Sequence, residues 1–534
     1  VVALTAAIVL SGAVLVGTAG AQTPERAPSA AKPTRGGSVT YGLEAETNGG
    51  WCIPQAQLVI SGIMVASAIY DTLTVPNSTG KIVPYLAKSV THDPTYTKWT
   101  ITLRDGVQFH DGTPLTADAV KQNIDAWRKG RLLGFVFTNI ADTTVVDPLT
   151  VQVTTKVPWV DFDSFLYLAG RAGIAAPAQL ANPETCPTNL IGTGPFMIYN
   201  GAGHWIQNQE FVATRNPHYW QKDQFGTQLP YLDKITFKPN PDAEQRLNQL
   251  QAGQLDMMHT TSGQVMTQLD GISSLNQMRE KAGRREVRYY LLNAAKPPFD
   301  DLDARKAVAY ALDTNQINVI RNDSQLQVAD QPFDTKVPGH LAKPGYPKHD
   351  LAKAKQMVKA YKDAHAGQFN VVIESTNDPE NSGEAQLIKR QFAQAGINAT
   401  LQQEDQASFV NTALGGNFSL LLWRNHPGED PDTQYVWWTE ASPINFGKFK
   451  DPQLQTLLDQ GRSEPDPEKR TGIYEQVNKI FATQVYNLWA YWEQWDIASN
   501  PKVQGLMGPP LPDGGGTAEF VFGKHPVVGL WVKK

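Results

Sequence analysis

The stretch FSLLLWRNHPGEDPDTQYVWW, residues Phe418 to Trp438, decides how this chain is read. Phe418 to Trp423 is a short apolar run with the look of a buried strand, and it stops at Arg424 and Asn425. A Pro/Gly turn follows, then three carboxylates (Glu429, Asp430, Asp432) and the aromatic set Tyr435, Trp437 and Trp438. Ligands in α/β sheets lie beyond the carboxyl ends of buried strands. Charges beside aromatic side chains are the materials of a pocket for a small polar solute. Glu-Asp-Pro-Asp is equally good turn chemistry and tryptophans commonly fill cores, so the stretch alone supports both readings.

Around it, from Tyr289–Asn293 onward, helices and strands alternate as in a three-layer α/β lobe. Helices are expected from Asp303 to Leu312, after an Asp350 cap with Leu351, Ala354, Val358 and Tyr361 inward, and from Glu384 to Ala395, closed by Gly396. A strand is expected over Phe369–Glu374. Asp451-Pro452 starts another helix, and Pro467 to Tyr486 forms a last long one. The aromatic segment Trp489, Tyr491, Trp492, Trp495 is expected to return to the first lobe.

Toward the N-terminus, Ser38–Leu43 reads as a strand ending at Glu44 and Glu46, followed by a helical run from Leu58 to Tyr70. Trp99–Leu103 alternates, and Arg104-Asp105-Gly106 suggests a hairpin with Val107–His110. Thr116 is placed to cap a helix with Val120, Ile124 and Trp127 inward. The region 78–191 therefore looks like an α+β subdomain. Gly192-Thr193-Gly194-Pro195-Phe196 is Gly-rich, but it lacks the Lys-Ser/Thr ending of a phosphate loop.

The chain has 534 residues, beyond the size at which a single core stops growing. Its 41% hydrophobic and 19% charged residues are an ordinary globular balance. A net charge of −5 with no basic run argues against nucleic acid and against a polybasic membrane anchor. Val1 to Val16 is apolar or small, and Ala19 and Ala21 bracket an A-x-A cleavage site, so residues 1–21 read as a secretory signal, shortened at its start. Residues 22–35 read as a Pro/Ala-rich disordered tether. No cysteine lies near the cleavage point for lipid attachment. The two cysteines, Cys52 and Cys186, suit one long-range disulfide in an oxidising compartment; two separate buried thiols are the alternative.

No HExxH, clustered Cys/His set or G-x-S-x-G elbow is present, and the ten histidines are scattered. Neither a metal nor a cofactor is called for. Acidic pairs abound, so a secreted hydrolase such as a glycosidase is the rival from another function class.

A series of segments then carries a resemblance. They are Pro84-Tyr85-Leu86-Ala87, Leu103 to Ala117 (LRDGVQFHDGTPLTA), Gly192–Phe196, Arg215–Trp220 (RNPHYW) and Pro230–Phe237 (PYLDKITF). Lys296–Asp301 (KPPFDD) and Arg305–Asp313 (RKAVAYALD) complete the set. In order and wording the chain resembles the family 5 extracellular solute-binding proteins of ABC importers, the oligopeptide, dipeptide and nickel receptors. The resemblance implies an α/β, two-lobe periplasmic-binding-protein-like fold of class II, with an extra α+β subdomain in the first lobe. Two interlobe crossings are expected near Leu291 and Tyr486. Lobe I would comprise 36–77, 192–290 and 487–534, with 78–191 its subdomain and 291–486 lobe II. Cys52 and Cys186 would both lie near the base of the first lobe.

The resemblance also implies a monomeric receptor with no catalytic activity, working in the periplasm or cell envelope and passing its solute to the permease of an ABC transporter. The expected cargo is a short peptide or peptide-like compound, with oligosaccharide the runner-up. Trp423, Arg424, Asn425 and Trp438 would contact it, Glu429 or Asp430 would meet its cationic or hydroxyl groups, and Glu44 would face them from the first lobe. Trp437 and Trp438 suit packing as well as a pocket, and Asp432 suits the turn. Peptide receptors of this family hold the free amine with an aspartate three residues before the Asp of Asp-Pro-Asp; counting back from Asp430 gives Pro427.

Overall fold

The computed structural model describes residues 32–534 apart from 47–50, 54–57, 59, 131–133, 426–427 and 429. The expected signal segment, most of the expected tether, Pro427 and Glu429 lie outside the described residues. Of the tether, Thr34 is tied by its hydroxyl to the Val532 carbonyl at 2.9 Å.

Among the described residues the strands gather into two large sheets and a smaller one. In the first lobe's sheet, Ser38–Leu43 lies between Lys234–Pro239 and Met257–Thr260, parallel to both. In the second lobe's sheet, Asn370–Thr376 lies between Asn398–Glu404 and Leu420–Asn425, again parallel to both. Val287–Leu292 and Asn487–Trp492 complete the centre of this second sheet as antiparallel neighbours. Both strands are buried along their whole length, as near-continuous apolar runs require.

The subdomain is a four-stranded antiparallel sheet covered by the helix Ala117–Trp127, whose Thr116 hydroxyl accepts the Ala119 N–H at 3.2 Å. The expected hairpin is not formed. Lys98–Leu103 pairs instead with Ala87–His92 and Thr150–Thr155, and Val107–Phe109 sits in a turn. Arg104-Asp105-Gly106 turns the chain, but the better strand partners lie elsewhere in sequence.

Aspartate caps set several second-lobe helices: Asp350 before Leu351–Ala364, Asp451 before Pro452–Ser463 and Asp466 before Pro467–Gln484. The helix expected from Glu384 begins five residues earlier, at Pro379, because Asp378 caps it and proline suits its first turn. The strand expected over Phe418–Trp423 runs over Leu420–Asn425, because Arg424 and Asn425 keep pairing with Arg288 and Val287.

The chain passes between the large sheets at 280–286 and 493–495, outside the expected positions near Leu291 and Tyr486. Trp489, Tyr491 and Trp492 therefore stay in the second lobe, and Trp495 alone of that group reaches across. The crossings are tied together: the Trp495 N–H donates to Glu280 and its indole N–H to Glu286, both at 3.2 Å. A second bridge joins the subdomain to the second lobe, where the Trp159 indole donates to Asp432 at 2.8 Å and Val160 N–H to the Arg462 carbonyl at 3.0 Å.

Cys52 and Cys186 are disulfide-bonded, their Cα atoms 5.5 Å apart, closing 134 residues of sequence. The Gly-rich turn is a packing device. A Cβ at Gly192 or Gly194 would overlap the Ile69 carbonyl group, so only glycine allows the turn to lie against that helix end.

Candidate functional site

A cavity of about 260 Å³ lies between the lobes. Its position follows from the strand directions. On the first lobe it is lined by Glu44, Pro241 and Thr260–Ser262, which follow or end the three parallel strands. On the second it is lined by Thr376–Asp378, Gln406 and Trp423–Asn425, at the same ends of that lobe's parallel strands. The carboxyl-end rule holds on both sides of the cleft.

Its walls divide by chemistry. One end is apolar: Leu58, Ile60, Phe409, Trp423, Trp437 and Phe446 line it. Trp423 packs between Phe409, at 5.7 Å between ring centroids, and Phe446, at 5.3 Å. The Trp437 ring meets Phe446 at 5.7 Å. The other end is charged, with Arg246, Arg288, Arg321, Glu380, Glu384 and Glu493 in its lining.

Arg424 and Glu44 form an ion pair across the cleft. Arg424 also stands 3.7 Å from Glu286 and 5.0 Å from the Trp495 ring centre. Burial alone would lower its pKa, but the carboxylates of Glu44, Glu286 and Glu493 hold it above its ordinary value. The Glu44 N–H donates to His259 Nε2 at 2.9 Å, which requires a neutral ring. Burial, with Arg246 and Arg424 nearby, holds the His259 pKa well below its usual range.

Behind this pair, Arg288 meets Glu384 at 2.5 Å and Glu493 at 3.8 Å. Glu384 further accepts the Tyr290 hydroxyl at 2.6 Å and the Tyr491 hydroxyl at 3.0 Å. Burial raises Glu493 to about 7, against the pull of Arg288 and Arg424.

Of the residues singled out from the sequence, Glu44, Trp423, Arg424 and Asn425 come together in the cavity wall. Asn425 is also held by the Gln434 side chain, to which its amide donates at 2.8 Å. Asp430 does not line the cavity. It is gripped by the Arg470 guanidinium and accepts the Asp432 N–H at 2.8 Å. Asp432 is more than a turn residue: fully buried, it takes Arg462 at 3.0 Å and the Trp159 indole. Trp438 is buried away from the cavity against Phe481, at 4.5 Å, and Phe333, at 5.7 Å. Glu429 is outside the described residues. The acids after the strand thus belong, where described, to the bridge between second lobe and subdomain.

Sequence reasoning missed Arg246, Arg288, Glu380 and Glu384. The signal for Glu380 was present, since Thr376-Asn377-Asp378-Pro379-Glu380 follows a strand just as Arg424-Asn425 ends one. Among the described residues, no three His, Cys, Asp or Glu side chains form a group that could hold a metal ion.

Comparison with known proteins agrees with this geometry. The family model described as "Bacterial extracellular solute-binding proteins, family 5 Middle" matches residues 81–446. The nickel-binding periplasmic protein of Escherichia coli (strain K12) is 28% identical over 382 residues, covering 67% of this chain and 70% of that protein. The probable D,D-dipeptide-binding periplasmic protein DdpA of the same organism is 25% identical over 430 residues, covering 78% and 80%. The structure of the periplasmic binding protein AgaA from A. tumefacien R10, in complex with agropinic acid, superposes with a TM-score of 0.81 at 23% identity, covering 93% of this chain and 99% of that one. The chain belongs to the bacterial extracellular solute-binding proteins of family 5, and is accordingly a substrate-binding component of ABC importers, not an enzyme.

Proposed function

We propose that this protein captures a short peptide or peptide-like solute between its lobes, outside the cytoplasmic membrane, and presents it to the permease of its importer. The observation that carries the reading is a closed interlobe cavity with an aromatic end and a charged end. A volume of about 260 Å³ is at or below the small end of ligand pockets, typically ~300–1,000 Å³, so the cargo is compact. A dipeptide-sized molecule with one apolar side chain suits both ends. The charged end argues against an uncharged oligosaccharide, which would cover buried charges without pairing them. One relative is named for D,D-dipeptides and one neighbour holds agropinic acid, both small and polar.

The test is mass spectrometry of solute released when the purified protein is denatured. Short peptides or amino-acid conjugates support the reading. A neutral sugar would overturn the cargo class while leaving the receptor role in place.

A further inference from the structure

Within the cleft, Arg424 is matched by Glu44 and Glu286, and Arg288 by Glu384 and Glu493. Two opposed groups are not matched. Glu380, second residue of the helix Pro379–Ala395, lines the cavity from the second lobe, and the hydrogen bond it receives is from its own backbone N–H. Arg246, on the helix Ala243–Gln251, lines it from the first lobe and is only 2% exposed. Its Nε and Nη1 donate to the carbonyls of His259, at 3.2 Å, and Asn240, at 2.6 Å. Among the described residues no carboxylate stands within ion-pair distance of its guanidinium. Each of the two lies within reach of the other's field.

We propose that Glu380 reads an ammonium group of the cargo and Arg246 a carboxylate, so that the solute is a zwitterion whose apolar part rests against Trp423, Trp437 and Phe446. This deepens, and rests on, the peptide-like reading above. A buried charge without a partner is costly, and a ligand carrying the complementary charge removes that cost on closure. The surrounding charges decide between ligand types. Around Glu380 stand Asp378 at the cap of its own helix, Asp242 and Arg246 from the first lobe, and Arg321, whose Nη2 lies 3.5 Å from the Pro379 carbonyl. Arg288 reaches the same turn through Asn381. A plain anion would meet Asp242, Asp378 and Glu380, and a plain cation would meet Arg246 and Arg321. A molecule carrying both charges satisfies both sets.

The titration behaviour agrees. Burial and the neighbouring Asp378 raise Glu380 to about 7, while Arg246 pulls it down. An ammonium bound there would favour the ionised form, so binding weakens as pH falls and Glu380 takes up a proton.

The experiment is a thermal-shift screen of the purified, solute-stripped chain against all Gly-X and X-Gly dipeptides. Each hit is then measured by calorimetry alongside its N-acetyl and C-amide forms. The expected result is a loss of about tenfold or more for either modification. Affinity for the free dipeptide should fall severalfold from about pH 7 to about pH 5.5, and Glu380→Gln should bind weakly with that dependence flattened. Unliganded Glu380→Gln should melt no lower than wild type, which separates a binding role from a structural one. If the N-acetyl form binds as tightly as the free dipeptide, the ammonium assignment fails and the receptor reading stands. If no dipeptide binds, both the peptide-like reading and this inference fall.

Discussion

Arg424, on the strand Leu420–Asn425 of the second lobe, is ion-paired with Glu44, at the end of the strand Ser38–Leu43 of the first. Separated by 380 residues in sequence, the two meet in the wall of the cavity and join the lobes. The same guanidinium faces the buried Glu286 on one crossing segment and the Trp495 ring on the other. Closure and the passage between the lobes thus share one cation.

Arg424→Ala should loosen that arrangement, because Glu286 keeps its carboxylate and loses its counter-charge. The expected cost is about 2–3 kcal/mol, below that of a fully buried pair because Arg424 and Glu44 retain some solvent contact. Chemical unfolding measures it, and small-angle scattering should show a larger radius of gyration. An unchanged radius would mean that the pair does not hold the lobes together.

The aromatic end should be felt through Trp423. Trp423→Ala removes the ring set between Phe409 and Phe446, and should weaken binding of any solute with an apolar group by about 1–2 kcal/mol. Trp423→Phe should recover most of that. Calorimetry with the co-purifying solute checks both variants.

Asp432 makes the opposite prediction. Asp432→Ala strands the buried Arg462 guanidinium and removes the acceptor of the Trp159 indole, at a cost of about 3–5 kcal/mol. Since Asp432 is outside the cavity lining, solute affinity should change far less than stability. Denaturant unfolding and calorimetry on the same sample separate the two.

Glu374 should give stability a pH slope. It is buried, accepting the Ser419 N–H at 3.2 Å, and burial raises its pKa to about 8. A carboxyl raised on folding contributes fully below its unfolded pKa, near 4.5, and its contribution is lost as pH rises toward 8. Glu374→Gln imitates the protonated form, so it should gain on wild type between about pH 5 and about pH 8, by on the order of 2 kcal/mol. Parallel unfolding curves at the two pH values test the sign.

Removing the disulfide should be expensive. Cys52 and Cys186 close 134 residues, for which chain entropy gives about 4–5 kcal/mol. Cys52→Ser with Cys186→Ser should lower the melting temperature, and the wild-type chain should yield no free thiol when unfolded without reductant.

Much of the local structure was legible from short-range rules. Thr116, Asp350, Asp451 and Gly396 mark helix ends because capping is settled within a few residues, whatever the rest of the chain does. The lag in the crossings has a physical reason too. Tyr289–Leu292 and Asn487–Trp492 are buried strands, and an apolar run looks the same in either lobe.

The site divides along the same line. From Phe418–Trp438, the sequence by itself determined that a buried strand delivers Trp423, Arg424 and Asn425 to a carboxyl end, where solute sites form. Only the tertiary structure decided what the neighbouring acids do. Asp430 and Asp432 stand beside that strand end, yet they are claimed by Arg470 and Arg462, while Glu380 and Arg246, far away in sequence, face the cavity. A carboxylate's role is set by which cation the fold brings within a few ångströms, and that distance is a property of packing between elements, which residue spacing does not encode.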